Sequence, residues 1–313
     1  MAKSTREAYG EALAELGKTN ERIVVMDADL SGSTKTSTFK KAFPDRFYDF
    51  GIAEANMIDA AAGFAFSGYI PFASTFAMFG AGRAYEQIRN SVAYAKANVK
   101  LAFTHAGLSV GEDGGSHQAL EDISLMRGIP GMTVFVPCDA EEAKKAVAAA
   151  VEIDGPVYLR LSRPNTDAVT DADTPFIPGK ANVIRDGSDA AIFATGLMVT
   201  RAIKAAELLE AEGISAAVVN FHTIKPLDKE TILAYNSKVK AIVTAEEHFV
   251  TGGLGSAVAE VLAQAGAGVP LHMLAVPEGA KNTGPYPELL DYYGLSGAEA
   301  AKRIAAVLHD CEK

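Results

Sequence analysis

The chain has 313 residues, 49% of them hydrophobic and 22% charged, with a formal net charge of −10. That length accommodates two ordinary domains, and that balance describes a globular protein without a general nucleic-acid footprint. No apolar run approaches a membrane span, and the start MAKSTREAYGEALAEL lacks a secretory h-region. Cys138 and Cys311 are far apart and have no zinc-like partners, so both read as reduced thiols of a cytoplasmic protein.

In chain order, apolar strand-like runs alternate with amphipathic helix-like runs. RIVVMDADL (22–30), VKLAFTHAG (99–107), MTVFVP (132–137) and VYLRLS (157–162) read as buried strands. ANMIDAAAGFAF (55–66), AYEQIRNSVAYA (84–95) and AEEAKKAVAAAVEI (140–153) read as helices. Ser4 with Glu7, Asp139 with Glu142, and Ser296 with Glu299 each fit a capping box. The pattern lapses in a polar run with Asp, Pro and Gly, read as an interdomain linker at 166–182. Alternation resumes with strands at 190–196, 216–221, 240–247 and 271–276 and helices at 199–213 and 255–266. The expectation is two doubly wound α/β domains, 1–165 and 183–313, each a parallel sheet covered on both faces.

Three stretches carry candidate chemistry. In GIAEANM (51–57), Glu54 is an acid among Ala, Ile and Met at a helix start. Its neighbours solvate it poorly, which suits a hydrogen-bond or proton-transfer group, although an acid there also favours the helix dipole. In STFAMF (74–79), Phe76 and Phe79 form either a core pair or a stacking face for an aromatic ligand. THAGLSVGEDGGSHQ (104–118) is a Gly-rich loop after a strand, where open α/β sheets bind ligands. It holds His105, Asp113 and His117. Arg163, just past a buried strand, suits a phosphate clamp or an edge cap; Arg6 lies in the first helical turn. TGGLGSAVAE (251–260) opens a helix but lacks the dinucleotide fingerprint, so tight turn geometry is expected rather than cofactor binding. Glu247 and His248 before it receive no role.

Together GIAEANM, STFAMF, THAGLSVGEDGGSHQ, YLRLSRPN and EEHFVTGGLGSAVAE resemble the transketolase family, over nearly the whole chain but only over that family's second half. The resemblance implies a pyrimidine-binding domain followed by the transketolase C-terminal domain, and thiamine diphosphate with magnesium as cofactors. It implies that Glu54 bonds a pyrimidine ring nitrogen and that Phe79, with Phe76 nearby, packs on that ring. It gives His117 a role as acid, base or positioner and Asp113 the hydroxyl beside the ketose carbonyl. His105 would reach the acceptor's phosphate or hydroxyls, and Arg163 and Arg6 would hold phosphate. No residue of this chain is assigned to metal.

The sequence departs from the family's pattern in three places. Gly82 stands where transketolases often carry Tyr, and Asp27 stands where a phosphate-contacting Ser is common. A carboxylate there would repel phosphate unless the tail differs or Asp27 points elsewhere. The GDG and Asn motif that holds diphosphate and magnesium is absent. The resemblance therefore implies one subunit of a split, two-chain transketolase, needing an N-terminal subunit in an α2β2 heterotetramer acting on sugar phosphates. A 1-deoxyxylulose-5-phosphate synthase-like enzyme, a 2-oxoacid dehydrogenase β-like subunit and a non-catalytic regulatory subunit are the alternatives.

Overall fold

In a computed structural model of the protein, residues 2–280 and 282–311 are described, the side chains of 310 and 311 excepted. The Cys311 thiol thus lies outside the described residues, whereas Cys138 is a buried free thiol. No described helix is long and apolar enough to cross a membrane.

Helix Thr5–Thr19 opens the fold, with Ser4 and Glu7 forming a full capping box. At Asp139 only half the expected box forms. Asp139 accepts the Glu142 amide, but Glu142 is drawn away to the Cys138 amide at 2.7 Å and the Asn220 side chain at 2.8 Å.

Seven strands form the first sheet, in the order Thr223–Lys225, Thr133–Phe135, Val157–Arg160, Lys100–Thr104, Ile70–Phe76, Ile23–Asp27, Phe47–Asp49. All pairings are parallel except the first, where a strand from beyond the linker adds antiparallel to Thr133–Phe135. The second sheet runs Leu271–Val276, Ala241–Phe249, Ala190–Ala194, Ala216–Asn220, Asn182–Arg185, with only the last antiparallel. The central strands are buried on both faces, which explains why they read as continuous apolar runs rather than alternating ones.

Two details depart from expectation. The aromatic stretch 74–79 contains the end of strand Ile70–Phe76, which the sequence reading did not assign as a strand. The run 84–95, expected as one helix, holds a single α turn, Tyr85–Gln87, between π-helical stretches Met78–Arg83 and Ile88–Tyr94. Such wide turns are rare and re-aim side chains that an α-helix would space evenly.

The first sheet collects the chemistry-bearing residues at one edge. Phe76 pairs with Thr104, so those two strands end level, and Asp27 pairs with Ser74 just short of that end. Phe76, His105, Arg163 and the loop to Glu54 all issue from these carboxyl ends. The order in which strands are added reverses between the parallel strands Ile23–Asp27 and Ile70–Phe76, which makes this edge a topological switch point, the customary ligand crevice of open α/β sheets.

Candidate functional site

Glu54 is the first residue of helix Glu54–Phe66 and is 1% exposed. Ala53 before it provides no side-chain cap, so the carboxylate sits beside amides that lack helical partners. Its Oε2 accepts a hydrogen bond from Arg83 Nη1 at 2.8 Å, while Oε1 takes none among the described residues. Arg83 also lies over the Phe79 ring, 4.9 Å from its centroid. Phe79 and Arg83, four residues apart on the π-helical turn Met78–Arg83, serve the same spot.

Phe76 and Phe79 stack with centroids 5.8 Å apart and planes 18° apart. His105 stacks on Phe76 at 3.9 Å, and His117 stands edge-on to Phe79 at 5.2 Å. Four rings therefore make one aromatic wall, joined to Glu54 through Arg83. His105 has a left-handed backbone (φ 61°) that turns its ring back over the strand end, and Thr104 Oγ1 lies 2.8 Å from its Nδ1. Burial first, then Arg6, Arg163, His117 and Lys35, push its pKa down to about 3. His105 is thus a neutral imidazole at neutral pH, set among cations.

Those cations converge from three elements. Arg6 Nε donates to the Arg163 carbonyl at 3.1 Å and Nη1 to the Ser33 carbonyl at 2.8 Å. Burial lowers the pKa of Arg6; Glu7 opposes that effect and Arg163 adds to it. Arg163 Nη1 donates to the Val110 carbonyl and lies 3.7 and 3.8 Å from the carboxylates of Glu112 and Asp113. Lys35 comes from the loop after Ile23–Asp27 with φ 71°. Gly10 permits that approach, since a Cβ there would stand 2.4 Å from the Lys35 carbonyl oxygen. A cluster of Arg6, Arg163 and Lys35 around a neutral imidazole suits an anionic group.

Asp27 does not oppose that cluster. It is fully buried, and its carboxylate accepts from the Leu30 amide (2.6 Å), Thr34 Oγ1 (2.6 Å) and Thr36 Oγ1 (2.8 Å). Burial raises its pKa to about 6 against those bonds. Of the two readings of Asp27, the side chain points elsewhere: it shapes the loop that delivers Ser33 and Lys35.

The structure brings all eight sequence-predicted side chains into one continuous network: Glu54, Phe76, Phe79, His105, His117, Asp113, Arg163 and Arg6. Sequence reasoning missed Arg83 and Lys35 as members of it. The turn at 251–260 presents no empty anion site, because Glu246 accepts the Leu254 and Gly255 amides at 2.7 and 2.8 Å. The helix N-terminus there is filled by the chain's own carboxylate.

Chemically, the free Oε1 of Glu54 beside the Phe76–Phe79 wall can receive a planar heteroaromatic ring with an N–H directed at the carboxylate. Among the described residues, no group of three or more His, Cys, Asp or Glu side chains could hold a metal ion. The site fits the ring end of a coenzyme.

Residues 1–168 match the family model of the transketolase pyrimidine-binding domain, and residues 179–299 that of the transketolase C-terminal domain. A putative transketolase C-terminal section of Methanocaldococcus jannaschii is 49% identical over 304 residues, covering 96% of this chain and 95% of that protein. A 6-deoxy-6-sulfo-D-fructose transketolase subunit of a Clostridium species is 41% identical, covering 97% of this chain and 93% of that one. A solved split-gene transketolase, described as an inactive β4 tetramer, superposes with a TM-score of 0.89 at 50% identity over 99% of both chains.

Proposed function

This chain belongs to the transketolase family, and we propose that it is the C-terminal subunit of a two-chain enzyme transferring a two-carbon ketol unit from a ketose phosphate to an aldose phosphate. The observation that carries this reading is the single edge of the first sheet. There a buried, half-free Glu54, an aromatic wall and a cationic cluster stand together. Three similar chains of nearly the same length are described as a section, a subunit and a split-gene product. The synthase-like and dehydrogenase-like readings are not favoured, since these similar chains of nearly the same length are transketolase sections and subunits.

The family depends on thiamine diphosphate, which supplies the nucleophilic thiazolium carbon and the electron sink for carbon–carbon cleavage. Glu54 would hold a proton on the pyrimidine ring nitrogen through Oε1, with Arg83 fixing Oε2. Phe76 and Phe79 would exclude water from one face of that ring. His117 and neutral His105 would hydrogen-bond the sugar's carbonyl and hydroxyl oxygens, and Asp113 the hydroxyl beside the carbonyl. Arg163, Arg6 and Lys35 would hold the anionic tail. A phosphate and a sulfonate present similar oxygens to such a cluster. The diphosphate and magnesium fall to the N-terminal partner, in an α2β2 assembly in the cytoplasm.

The test is Glu54→Gln in the reconstituted pair with thiamine diphosphate and magnesium. Loss of a proton-transfer group costs roughly 10²–10⁴ in rate, so turnover should fall by at least about a hundredfold with coenzyme still bound. Undiminished turnover would remove Glu54 from the chemistry.

A further inference from the structure

Of the consecutive residues Glu246, Glu247 and His248, two are engaged away from the sugar-side loop, Glu246 locally and His248 across 124 residues. Glu246 caps the helix that follows, and His248 Nε2 accepts the Ser124 amide at 3.2 Å. Glu247, at the carboxyl end of strand Ala241–Phe249 in the second sheet, reaches instead into the sugar-side loop of the first. Its Oε2 accepts the Ser109 amide at 3.0 Å and its Oε1 lies 3.2 Å from Ser109 Oγ, across 138 residues of sequence. The fit is close: a Cβ on Gly107 (φ 79°) would lie 2.5 Å from the Glu247 carboxyl carbon.

The loop is held on both sides of this point. The next residue, Val110, gives its carbonyl to Arg163, and Gly107 donates its amide to the Ala119 carbonyl at 2.9 Å. Glu247 itself is backed by Arg160, whose Nη1 lies 3.8 Å from Oε1 and whose Nη2 donates to the Glu247 carbonyl at 3.1 Å. Arg160 in turn makes a two-pronged bond with Asp122, at 2.7 and 3.2 Å. The hydroxyl chemistry is informative as well. Ser109 Oγ also lies 3.0 Å from the Ala106 carbonyl, and one hydroxyl proton cannot fully serve both acceptors. A proton on Glu247, donated to Ser109 Oγ, satisfies all three atoms. Burial, which raises the Glu247 pKa to about 7, agrees with that arrangement.

We propose that Glu247 is a positioning residue for the sugar-binding loop: through Ser109 it sets where Asp113 and the Val110–Arg163 contact stand against His105 and His117. The clamp rests on geometry alone; its consequence for sugar binding rests on the function proposed above. A Gln at 247 keeps an acceptor for the Ser109 amide and a donor for its hydroxyl, whereas Ala keeps neither.

Two readouts test it. In this chain alone, amide hydrogen exchange across 107–114 should quicken at least about tenfold in Glu247→Ala and stay within about threefold in Glu247→Gln, the loss expected when a buried amide is left without its acceptor. In the two-chain enzyme, Glu247→Ala should raise the ketose KM about tenfold at unchanged coenzyme affinity, and Glu247→Gln should restore it. Arg160 keeps Asp122 as a partner in either variant, so the buried cation stays paired. Should Glu247→Ala not fold, Ser109→Ala carries the test with a smaller effect in the same direction. Unchanged exchange in the variants, or a Gln variant as impaired as the Ala variant, overturns the proposal. If the unmutated pair transfers no ketol unit, the functional reading fails while exchange still decides the clamp.

Discussion

Replacing Arg163 separates anion recognition from loop support. Arg163 Nη1 is committed to the Val110 carbonyl and lies 3.7 and 3.8 Å from Glu112 and Asp113, which leaves Nε and Nη2 for a ligand. A charge-assisted hydrogen bond to such a ligand contributes about 1.5–3 kcal/mol. The Arg163 side chain is 37% exposed, so solvent screening places the effect at the lower end of that range. Arg163→Gln should therefore raise the KM for a phosphorylated donor about tenfold to thirtyfold at low salt. Arg6 and Lys35 would retain part of the binding. The assay compares phosphorylated and unphosphorylated donors, each at low and high ionic strength. The unphosphorylated donor should lose no more than about threefold, the share due to the loosened Val110 contact. Equal losses on both donors would show that Arg163 only supports the loop, and the anion-cluster argument would fail.

Other outcomes follow from buried groups. Burial raises the Asp27 pKa in the folded chain from its ordinary 3.8 to about 6. Its stabilising share is therefore full below pH 3.8 and lost as pH rises through about 6. In urea titrations at pH 4 and pH 7, the unmutated chain should lose up to about 3 kcal/mol relative to Asp27→Asn; a constant difference would contradict this. Glu142 and Glu247 titrate alike in both chains and cancel from the comparison. His105, pushed down to about 3 by burial and then by the cations, should give the same neutral imidazole ¹⁵N signature at pH 5.5 and pH 8; a protonation step between them would contradict a buried ring set among cations.

The parts of the site that were legible in the sequence are those that local chemistry writes locally. Glu54 among apolar residues, two Phe residues close together in one aromatic stretch, and His residues in a Gly-rich loop mark themselves within about a dozen positions. Strand carboxyl ends then assemble them without further instruction, because parallel pairing sets Phe76 level with Thr104 and Asp27 level with Ser74. What was not legible depends on long-range geometry. Arg83 meets Glu54 across 29 residues of sequence from the end of a π-helical turn, and wide turns leave no composition signal. Lys35 joins the cations through a left-handed backbone and the absence of a side chain at Gly10. Strand Thr223–Lys225 crosses to the first sheet after the linker, which no periodicity announces in three residues. Asp27 looked like a repulsive charge at an anion site. Its direction is set by Thr34 and Thr36, whose hydroxyls turn it into the loop.

The most direct test of the account is a ketol-transfer assay of this chain mixed with a chain carrying the diphosphate- and magnesium-binding domain. Thiamine diphosphate and magnesium are supplied, with xylulose 5-phosphate as donor and ribose 5-phosphate as acceptor. The account predicts transfer in the mixture and none from either chain alone. Transfer by this chain without a partner would contradict the assignment of diphosphate and magnesium to a second subunit. A stable, coenzyme-loaded complex that transfers no ketol unit from any anionic or neutral ketose would contradict the proposed reaction.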